Sequence, residues 1–341
     1  MAKISRCRAE RQNPNARNFG LGSKDILSAA RNALVEQRES KVIGFQTVRN
    51  HHANFSRFIN TMKSEFNINL KDFRKIEYEH VQQYAVHLVD RVSNESLSTA
   101  SAHQYLSSVN RVIEHARGDK NCTINPVKDA GLPVRTGVCR ESQYVSASRH
   151  AEIKTQLPER AGSLVSLQRE LGFRFQESAK FDAVKNQHIQ VGQTLRISAG
   201  TKGGRDREIL IRTESQTDAI KHAANIQQND RSMIPGEMSY KDFRNDCYRQ
   251  FSTIPAWHCH AERHSYAHNL YQKLYTEKTG ITGISSPVEA GIKHGTEHHQ
   301  YLAEKLNLTV NEAKSLDNEI RLQVSIELGH SRISIANNYL G

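Results

Sequence analysis

The segment Trp257-His258-Cys259-His260-Ala261-Glu262-Arg263-His264-Ser265-Tyr266 is the most informative stretch of the chain. It leads into an apolar pattern that predicts a helix over residues 262–275. Because residues three apart share one side of a helix, His260 and Arg263 would project together if the first turn were helical. An imidazole and a guanidinium placed side by side can hydrogen-bond the same anionic oxygen atoms.

Two segments before this one carry similar side chains. In residues 171–177 a glycine ends one helix, and Arg174 and Glu177 stand three apart at the start of the next. That pair can also be a simple intrahelical salt bridge. In residues 201–205, Lys202 stands at the tip of a predicted hairpin. Basic hairpin tips are common solvated turns, and this segment lacks the spacing of a phosphate-binding loop.

Two segments after it complete the set. Residues 327–330 predict a helix that ends at a glycine and is followed by His330, and Tyr339 stands nine residues further on. A tyrosine hydroxyl is a poor nucleophile at its free pKa of about 10, but clustered cations would stabilise its phenolate. The fixed cations and forked donors suit the non-bridging oxygens of a phosphodiester, so the set fits metal-free phosphoryl transfer. Its members are Arg174, Lys202, His260, Arg263, His330 and Tyr339.

These motifs, in this order, resemble those of the tyrosine recombinases, the phage-integrase family. The family's Gly-Leu-Arg-x-x-Glu-like motif is matched by Gly172, Phe173, Arg174 and Glu177, and its hairpin lysine by Lys202. Its His-x-x-Arg-His motif is matched by His260, Arg263 and His264. Its Leu-Gly-His motif is matched by Leu328, Gly329 and His330, and its nucleophile by Tyr339. Residues 97–106 resemble part of the family's helical core-binding domain. The resemblance runs from about residue 21 to the end of the sequence.

The resemblance implies a mechanism for the six residues. Arg174 and Arg263 would clamp the scissile phosphate, and His260 and His330 would complete its cradle. Tyr339 would attack phosphorus to form a 3′-phosphotyrosine while Lys202 protonates the departing 5′ oxygen. The resemblance implies no cofactor and no metal ion. The resemblance implies that the protein binds double-stranded DNA and assembles as a homotetramer on two duplexes. It also allows for an accessory DNA-bending protein.

Two features depart from the family pattern. Between Arg263 and His330 lie 66 residues, a longer interval than is usual, and the surplus includes the Gly-, Ser- and His-rich residues 279–299. This insertion could be a loop over the DNA, a contact to a neighbouring protomer or an inert elaboration. Only two residues follow Tyr339. Many family members continue into a C-terminal tail that docks on the next protomer. We therefore expect that synapsis here uses other surfaces, or that the chain is incomplete.

Composition narrows the class of protein. The 341 residues include 47 Lys and Arg against 36 Asp and Glu, a net charge of +11. Residues 1–150 hold 23 basic against 14 acidic residues, whereas residues 151–341 hold 24 against 22. This asymmetry suggests a polyanion-binding N-terminal half, and charge alone does not distinguish this from a merely basic soluble surface. With no apolar run of 18 residues and no secretory signal, we expect a cytoplasmic protein without membrane spans, nucleoid-associated when bound to DNA. The five scattered cysteines argue against a disulfide framework.

The periodicity predicts a mainly α fold with a small β-sheet. Four amphipathic helices are predicted between residues 24 and 117, and a hairpin between 194 and 212. The resemblance divides the chain into a helical core-binding domain and an α+β catalytic domain. We expect a basic arm over 1–20, a SAM-like DNA-binding domain over 21–140, and a catalytic domain over 141–341 with an insertion around 276–308.

Two other functions stay open from the sequence. One is a DNA-binding protein on the same fold that does not cleave, suggested by the insertion and the short C-terminus. The other is a zinc protein, suggested by the histidines and cysteine between residues 258 and 268 and between 294 and 299. His264 and His268 have helical i, i+4 spacing, but no paired Cys-x-x-Cys or His-Glu-x-x-His frames them.

Overall fold

The structure is a computed structural model that describes residues 8–135 and 137–341. The chain divides into two compact units, Met1–Thr136 and Gly137–Gly341. This division lies close to the boundary predicted between residues 140 and 141. Each unit has its own hydrophobic core.

The first unit is helical. Its helices are α1 (Ile26–Glu39), α2 (Phe45–Ser64), α3 (Tyr78–Ser93) and α4 (Thr99–Arg117). Asp25 and Ser98 accept hydrogen bonds from backbone amides of the first turns of α1 and α4, which satisfies donors that have no helical partner. The left-handed Gly118 ends α4. The four predicted helices are therefore confirmed.

The part of the predicted basic arm that the structure describes, residues 8–20, is packed against the helices of the first unit. Arg11 is buried and donates to the carbonyl of Ala116 at 2.7 Å and to Glu36 at 2.9 Å. Arg8 donates to the carbonyl of Arg117 at 2.8 Å. These arginines satisfy the last carbonyls of α4, which the helix itself leaves without partners. The arm's residues 1–7 lie outside the described residues.

The second unit holds eleven helices and one hairpin among its described residues. They are α5 (Ala147–Gln156), α6 (Glu159–Leu171), α7 (Phe175–Lys180), α8 (Ala183–Asn186), β1 (Thr194–Ile197), β2 (Arg207–Leu210), α9 (Glu214–Gln227), α10 (Tyr240–Phe251), α11 (His260–Thr279), α12 (Pro287–Ala290), α13 (Thr296–Leu306), α14 (Val310–Glu327) and α15 (Asn337–Leu340).

The predicted hairpin is confirmed. β1 and β2 pair antiparallel with Leu195 opposite Ile209, and both of these side chains are buried. A 3-10 turn over Lys202–Gly204 lies between the strands. The turn therefore presents Lys202 at the exposed end of the hairpin.

Helix α11 is the centre of the second unit. It begins at His260, two residues before the predicted start, so the first turn that carries His260 and Arg263 is helical and the condition for their projecting together is met. Its buried residues lie on all sides, because α6, α14 and α15 all pack against it. This position gives the histidines and the arginine of its first turn a rigid base.

The insertion belongs to the core of the second unit. Ile284, Leu302 and Leu306 are buried there, and α13 packs against α14. Helix α13 was not predicted, because two of its buried positions hold His298 and His299, which add nothing to an apolar pattern.

The fold class is as predicted, mainly α with a small two-stranded sheet. Within residues 8–135 and 137–341, no helix combines the length and the apolar character needed to cross a membrane.

Gly172 carries a strict backbone requirement. It ends α6 with a φ of +59°, and a Cβ built there would lie 2.4 Å from the ring of Tyr266. Gly172→Ala should therefore lower the free energy of unfolding by about 2–4 kcal/mol, through overpacking and left-handed strain. Thermal and urea unfolding would measure the change.

Gly203→Ala is the matched control. Gly203 has a φ of +74° but no heavy atom within 4 Å of a built Cβ, so it should lose only about 1 kcal/mol. Equal losses for the two variants would show that the Tyr266 contact does not matter.

Candidate active site

Arg174 stands between two parts of the chain. It directly precedes α7, and its guanidinium donates to Glu177 Oε1 at 2.7 Å and to the carbonyl of Leu328 at 3.1 Å. The predicted salt bridge with Glu177 is therefore present. Because the same side chain also reaches the end of α14, the pair does more than stabilise one helix.

Arg263 is fully buried beneath this group. It donates to the carbonyls of Gly172 and Leu328, and its Nε donates to the hydroxyl of Tyr339 at 3.1 Å. Burial, together with the positive charges of Arg207 and Arg174, lowers the pKa of Arg263 to about 10. The guanidinium therefore keeps its charge at neutral pH.

Glu177 is the carboxylate that joins these cations. It is fully buried, and Arg207 Nη2 donates to its Oε2 at 2.8 Å while Arg263 Nη1 lies 3.7 Å from the same atom. Burial alone would raise the pKa of Glu177, but Arg207 and Arg263 lower it below its usual value. The site thus contains an ionised carboxylate at neutral pH.

Arg207 was missed by the sequence reasoning. It is 5% exposed and also donates to the carbonyls of Gly172 and Glu327. A Cβ at Gly329 would lie 2.7 Å from its Cδ, so the chain passes close over this arginine. One signal in the sequence could have identified it. Arg207 stands two residues before the buried Ile209 on β2, and alternate residues of a strand face the same side, so Arg207 faces inward as well.

His330 follows the end of α14 and meets Arg174. Nη2 of Arg174 lies 3.2 Å from His330 Nε2, and because a guanidinium only donates, Nε2 accepts. Burial, followed by the charges of Arg174, Arg263 and Lys202, lowers the pKa of His330 to about 4. The imidazole is therefore neutral at pH 7.

Two histidines of α11 flank the tyrosine. The rings of His260 and His264 lie 6.1 and 4.8 Å from the ring of Tyr339, centroid to centroid. Desolvation lowers the pKa of His260 to about 4, helped by Arg263, and that of His264 to about 3, helped by His260. His264 was not predicted as a site residue, although its i, i+4 relation to His260 places both on one helix face.

Tyr339 lies at the centre of this group. It is 6% exposed, on the short helix α15, and its hydroxyl accepts the hydrogen bond from Arg263. The ring of His330 lies 6.4 Å from the tyrosine ring. A phenolate formed here would be stabilised by the buried guanidinium at its oxygen.

Lys202 is the one predicted residue without a contact to this group. It is exposed in the turn between β1 and β2, and only its charge reaches the site, where it contributes to the lowered pKa of His330. The structure therefore brings Arg174, His260, Arg263, His330 and Tyr339 together and places Lys202 within electrostatic range of them.

The histidine clusters have no metal-binding geometry. Across residues 8–135 and 137–341, no three His, Cys, Asp or Glu side chains are arranged to hold a metal ion. Ser286 hydrogen-bonds His268 Nδ1 at 2.9 Å, and Asp317 lies 3.8 Å from nitrogens of His298 and His299.

The histidines make the second unit sensitive to acid. The pKa values of His268 and His298 are also lowered to about 4 by burial, as are those of His260 and His330. The unfolded chain binds protons at these sites below about pH 6.5, whereas the folded chain does so only near pH 4. The free energy of unfolding should therefore decrease as the pH falls from 7 to 5, which urea titrations at several pH values would measure.

His298→Gln supplies the control for this expectation. It removes one buried imidazole of α13, so the loss of stability between pH 7 and 5 should be smaller than in the wild type. Stability that is unchanged or rises on acidification would contradict the assignment.

Two models of integrase domains match this chain. The family model for "Integrase" matches residues 140–273, and that for "Phage integrase SAM-like domain" matches residues 27–132. A search of curated proteins gives no significant match.

Solved structures share the fold. The Tn1549 transposon integrase in complex with circular intermediate DNA is 11% identical, with a TM-score of 0.51 over 92% of this chain and 95% of that one. The same integrase with transposon right end DNA is 11% identical, with a TM-score of 0.53 over 92% and 94%. The two family models cover most of both units, and the five gathered residues stand in the order of the motifs. The chain belongs to the tyrosine recombinase family of integrases.

Proposed function

We propose that this protein is a site-specific DNA recombinase that cleaves and rejoins DNA through a covalent 3′-phosphotyrosine. The observation that carries the proposal is the hydrogen bond from the buried Arg263 to the hydroxyl of Tyr339. A buried cation directly on a phenol oxygen can stabilise the negative charge that develops there as the oxygen attacks phosphorus. The family assignment supports the same chemistry.

The charges around Tyr339 suit a phosphodiester. Arg174, Arg207 and Arg263 surround one ionised carboxylate, Glu177, so the group has excess positive charge. Arg174 keeps 20% of its side chain exposed and would meet the phosphate first. Arg263 has no exposed surface, and its donors are taken by the hydroxyl of Tyr339 and by two carbonyls, so binding of the phosphate would require one of these acceptors to release its donor.

The proposed steps rest on these positions and on the family resemblance. The oxygen of Tyr339 bonds to phosphorus, and the bond from phosphorus to the 5′ oxygen breaks. The phenol proton passes to one of the neutral imidazoles around the ring, those of His260, His264 and His330. Lys202 gives a proton to the departing 5′ oxygen. A 5′-hydroxyl of the partner duplex then reverses the reaction.

The energetics require neither ATP nor a metal ion. The phosphotyrosine bond conserves the free energy of the phosphodiester, and the fixed guanidiniums supply the positive charge that a metal ion would otherwise provide. The proposed independence from ATP and metal ions rests on the family resemblance and on the charges of the three guanidinium groups.

The biological role and the assembly are also part of the proposal. One of the solved structures that share the fold is a transposon integrase bound to circular intermediate DNA, which supports a role here in integrating or excising a mobile element. Four protomers on two duplexes, an accessory DNA-bending protein and action in the bacterial cytoplasm at the nucleoid follow from the family resemblance.

The nucleophile can be tested directly. Wild-type protein and Tyr339→Phe are incubated with fragmented host DNA and denatured in SDS, and the DNA that stays attached to protein is sequenced. We expect adducts from the wild type alone, concentrated at a few sites, because only the tyrosine oxygen can bond to phosphorus.

Adducts from both proteins would exclude Tyr339 as the nucleophile. Salt-sensitive DNA binding without adducts from either protein would favour the non-cleaving DNA-binding protein instead.

The role of Lys202 has its own test. Lys202→Ala should bind DNA normally but cleave about 100-fold more slowly, since it lacks the general acid. A 5′-thio leaving group needs no proton and should restore much of the rate. Single-turnover cleavage of both substrates measures this.

Arg205→Ala is the control, because it removes a positive charge from the same exposed turn without removing the acid. A thio substrate that fails to rescue Lys202→Ala would assign the acid to another residue.

A further inference from the structure

Arg321 holds both ends of the segment that carries Tyr339. This arginine of α14 is fully buried, and its Nη1 donates to Asn337 Oδ1 at 2.9 Å and to the carbonyl of Gly341 at 3.0 Å. Those two acceptors stand two residues before and two residues after Tyr339. One guanidinium nitrogen thus spans the whole of α15.

Asp317 holds Arg321 in turn. Nε of Arg321 donates to Asp317 Oδ2 at 2.7 Å, one helical turn earlier on α14. The hydroxyls of Tyr271 and Tyr275 donate to Asp317 Oδ1 at 2.5 and 3.2 Å. Because both tyrosines belong to α11, the helix that carries Arg263 also fixes the support of the nucleophile segment.

The insertion covers this network from another side. His298 and His299 of α13 lie 3.8 Å from Asp317 Oδ2, and His298 has no exposed surface. Val288 of α12 packs closely on Gly341: a Cβ built at Gly341 would lie 2.9 Å from that of Val288. The residues that lengthen the interval between Arg263 and His330 therefore enclose the ion pair and contact the nucleophile segment.

A purely stabilising role explains these residues poorly. A buried ion pair costs desolvation free energy that a packed apolar pair would avoid, so its stabilising effect is small. Buried polar groups are better at selecting one arrangement of the chain. Here the arrangement selected is that of residues 337–341. Both charges are fully buried, and each already has its partner in the other.

We propose that the Arg321–Asp317 pair, enclosed by the insertion, positions Tyr339 for attack on the scissile phosphate. This inference rests on the proposed function. Arg321 is a positioning residue because it contacts Asn337 and Gly341 on either side of Tyr339, and Asp317 is one because it holds Arg321. Their loss should slow the attack step and leave DNA affinity unchanged.

The test uses four variants of the full chain. Arg321→Met keeps the length of the side chain without its charge, and Arg321→Lys keeps the charge with fewer donors. Asn337→Ala removes one acceptor of Arg321, and Asn338→Ala, on the exposed neighbouring residue, is its matched control. DNA affinity is measured at equilibrium, and cleavage is measured in single turnover on a nicked DNA whose released fragment diffuses away.

We expect Arg321→Met to cleave about 100-fold more slowly and Asn337→Ala about 10-fold more slowly at saturating DNA, with unchanged affinity. Arg321→Lys should recover part of the rate, and Asn338→Ala should match the wild type. If Arg321→Met does not fold, as judged by circular dichroism, the comparison of Asn337→Ala with Asn338→Ala decides.

A second measurement separates positioning from damage to the cradle. In Tyr339→Phe, hydrogen peroxide can replace the tyrosine: its oxygen bonds to phosphorus and the 5′ oxygen leaves. Adding Arg321→Met or Asn337→Ala to Tyr339→Phe should not slow this reaction, because the phosphate cradle is intact.

Three results would overturn the inference while leaving the proposed function in place. They are wild-type cleavage rates in folded Arg321→Met and Asn337→Ala, a loss of DNA affinity that matches the loss of rate, and an equal loss of peroxide-driven cleavage. Absence of any adduct from the wild type would instead overturn the proposed function, and this inference with it.

Discussion

The carboxylate of Glu177 lies fully buried among three guanidinium groups, those of Arg174 at 2.7 Å, Arg207 at 2.8 Å and Arg263 at 3.7 Å. Three positive charges this close together would repel one another strongly in a medium of low dielectric constant. One ionised carboxylate offsets part of that repulsion and fixes the donors in space. The carbonyls of Gly172 and Leu328 accept further hydrogen bonds from these arginines. The rest of the site depends on this arrangement, because it leaves excess positive charge where a phosphate would bind.

Tyr339, the proposed nucleophile, is held by a separate set of contacts. Arg263 meets the hydroxyl of Tyr339, but the backbone on either side is held by Arg321, which Asp317 fixes on α14. Both networks use α11, the first through its first turn and the second through Tyr271 and Tyr275. A central helix packed on all sides moves little, so it keeps the two networks in a constant relation.

Particular residues show how far sequence reasoning reached. Arg263 and His330 were found because their local motifs are short and specific, and the structure places them together. Arg207 and Arg321 were not found, because an arginine on a strand or in a helix has the same sequence signal whether it is buried or exposed. Helix α13 was missed for a related reason: histidines at buried positions conceal its apolar face.

The sequence by itself determined the helical character of both units, the hairpin, the family and the set of residues proposed for phosphoryl transfer. These follow from periodicity and from residue types in a fixed order, which are local properties of the chain. Only the tertiary structure decided which side chains share the buried charges, because Glu177, Arg207 and Arg263 meet across long stretches of sequence. It also decided that the insertion supports the segment of Tyr339. Contacts of this kind depend on the packing of α11, α13 and α14, and no local pattern encodes that packing.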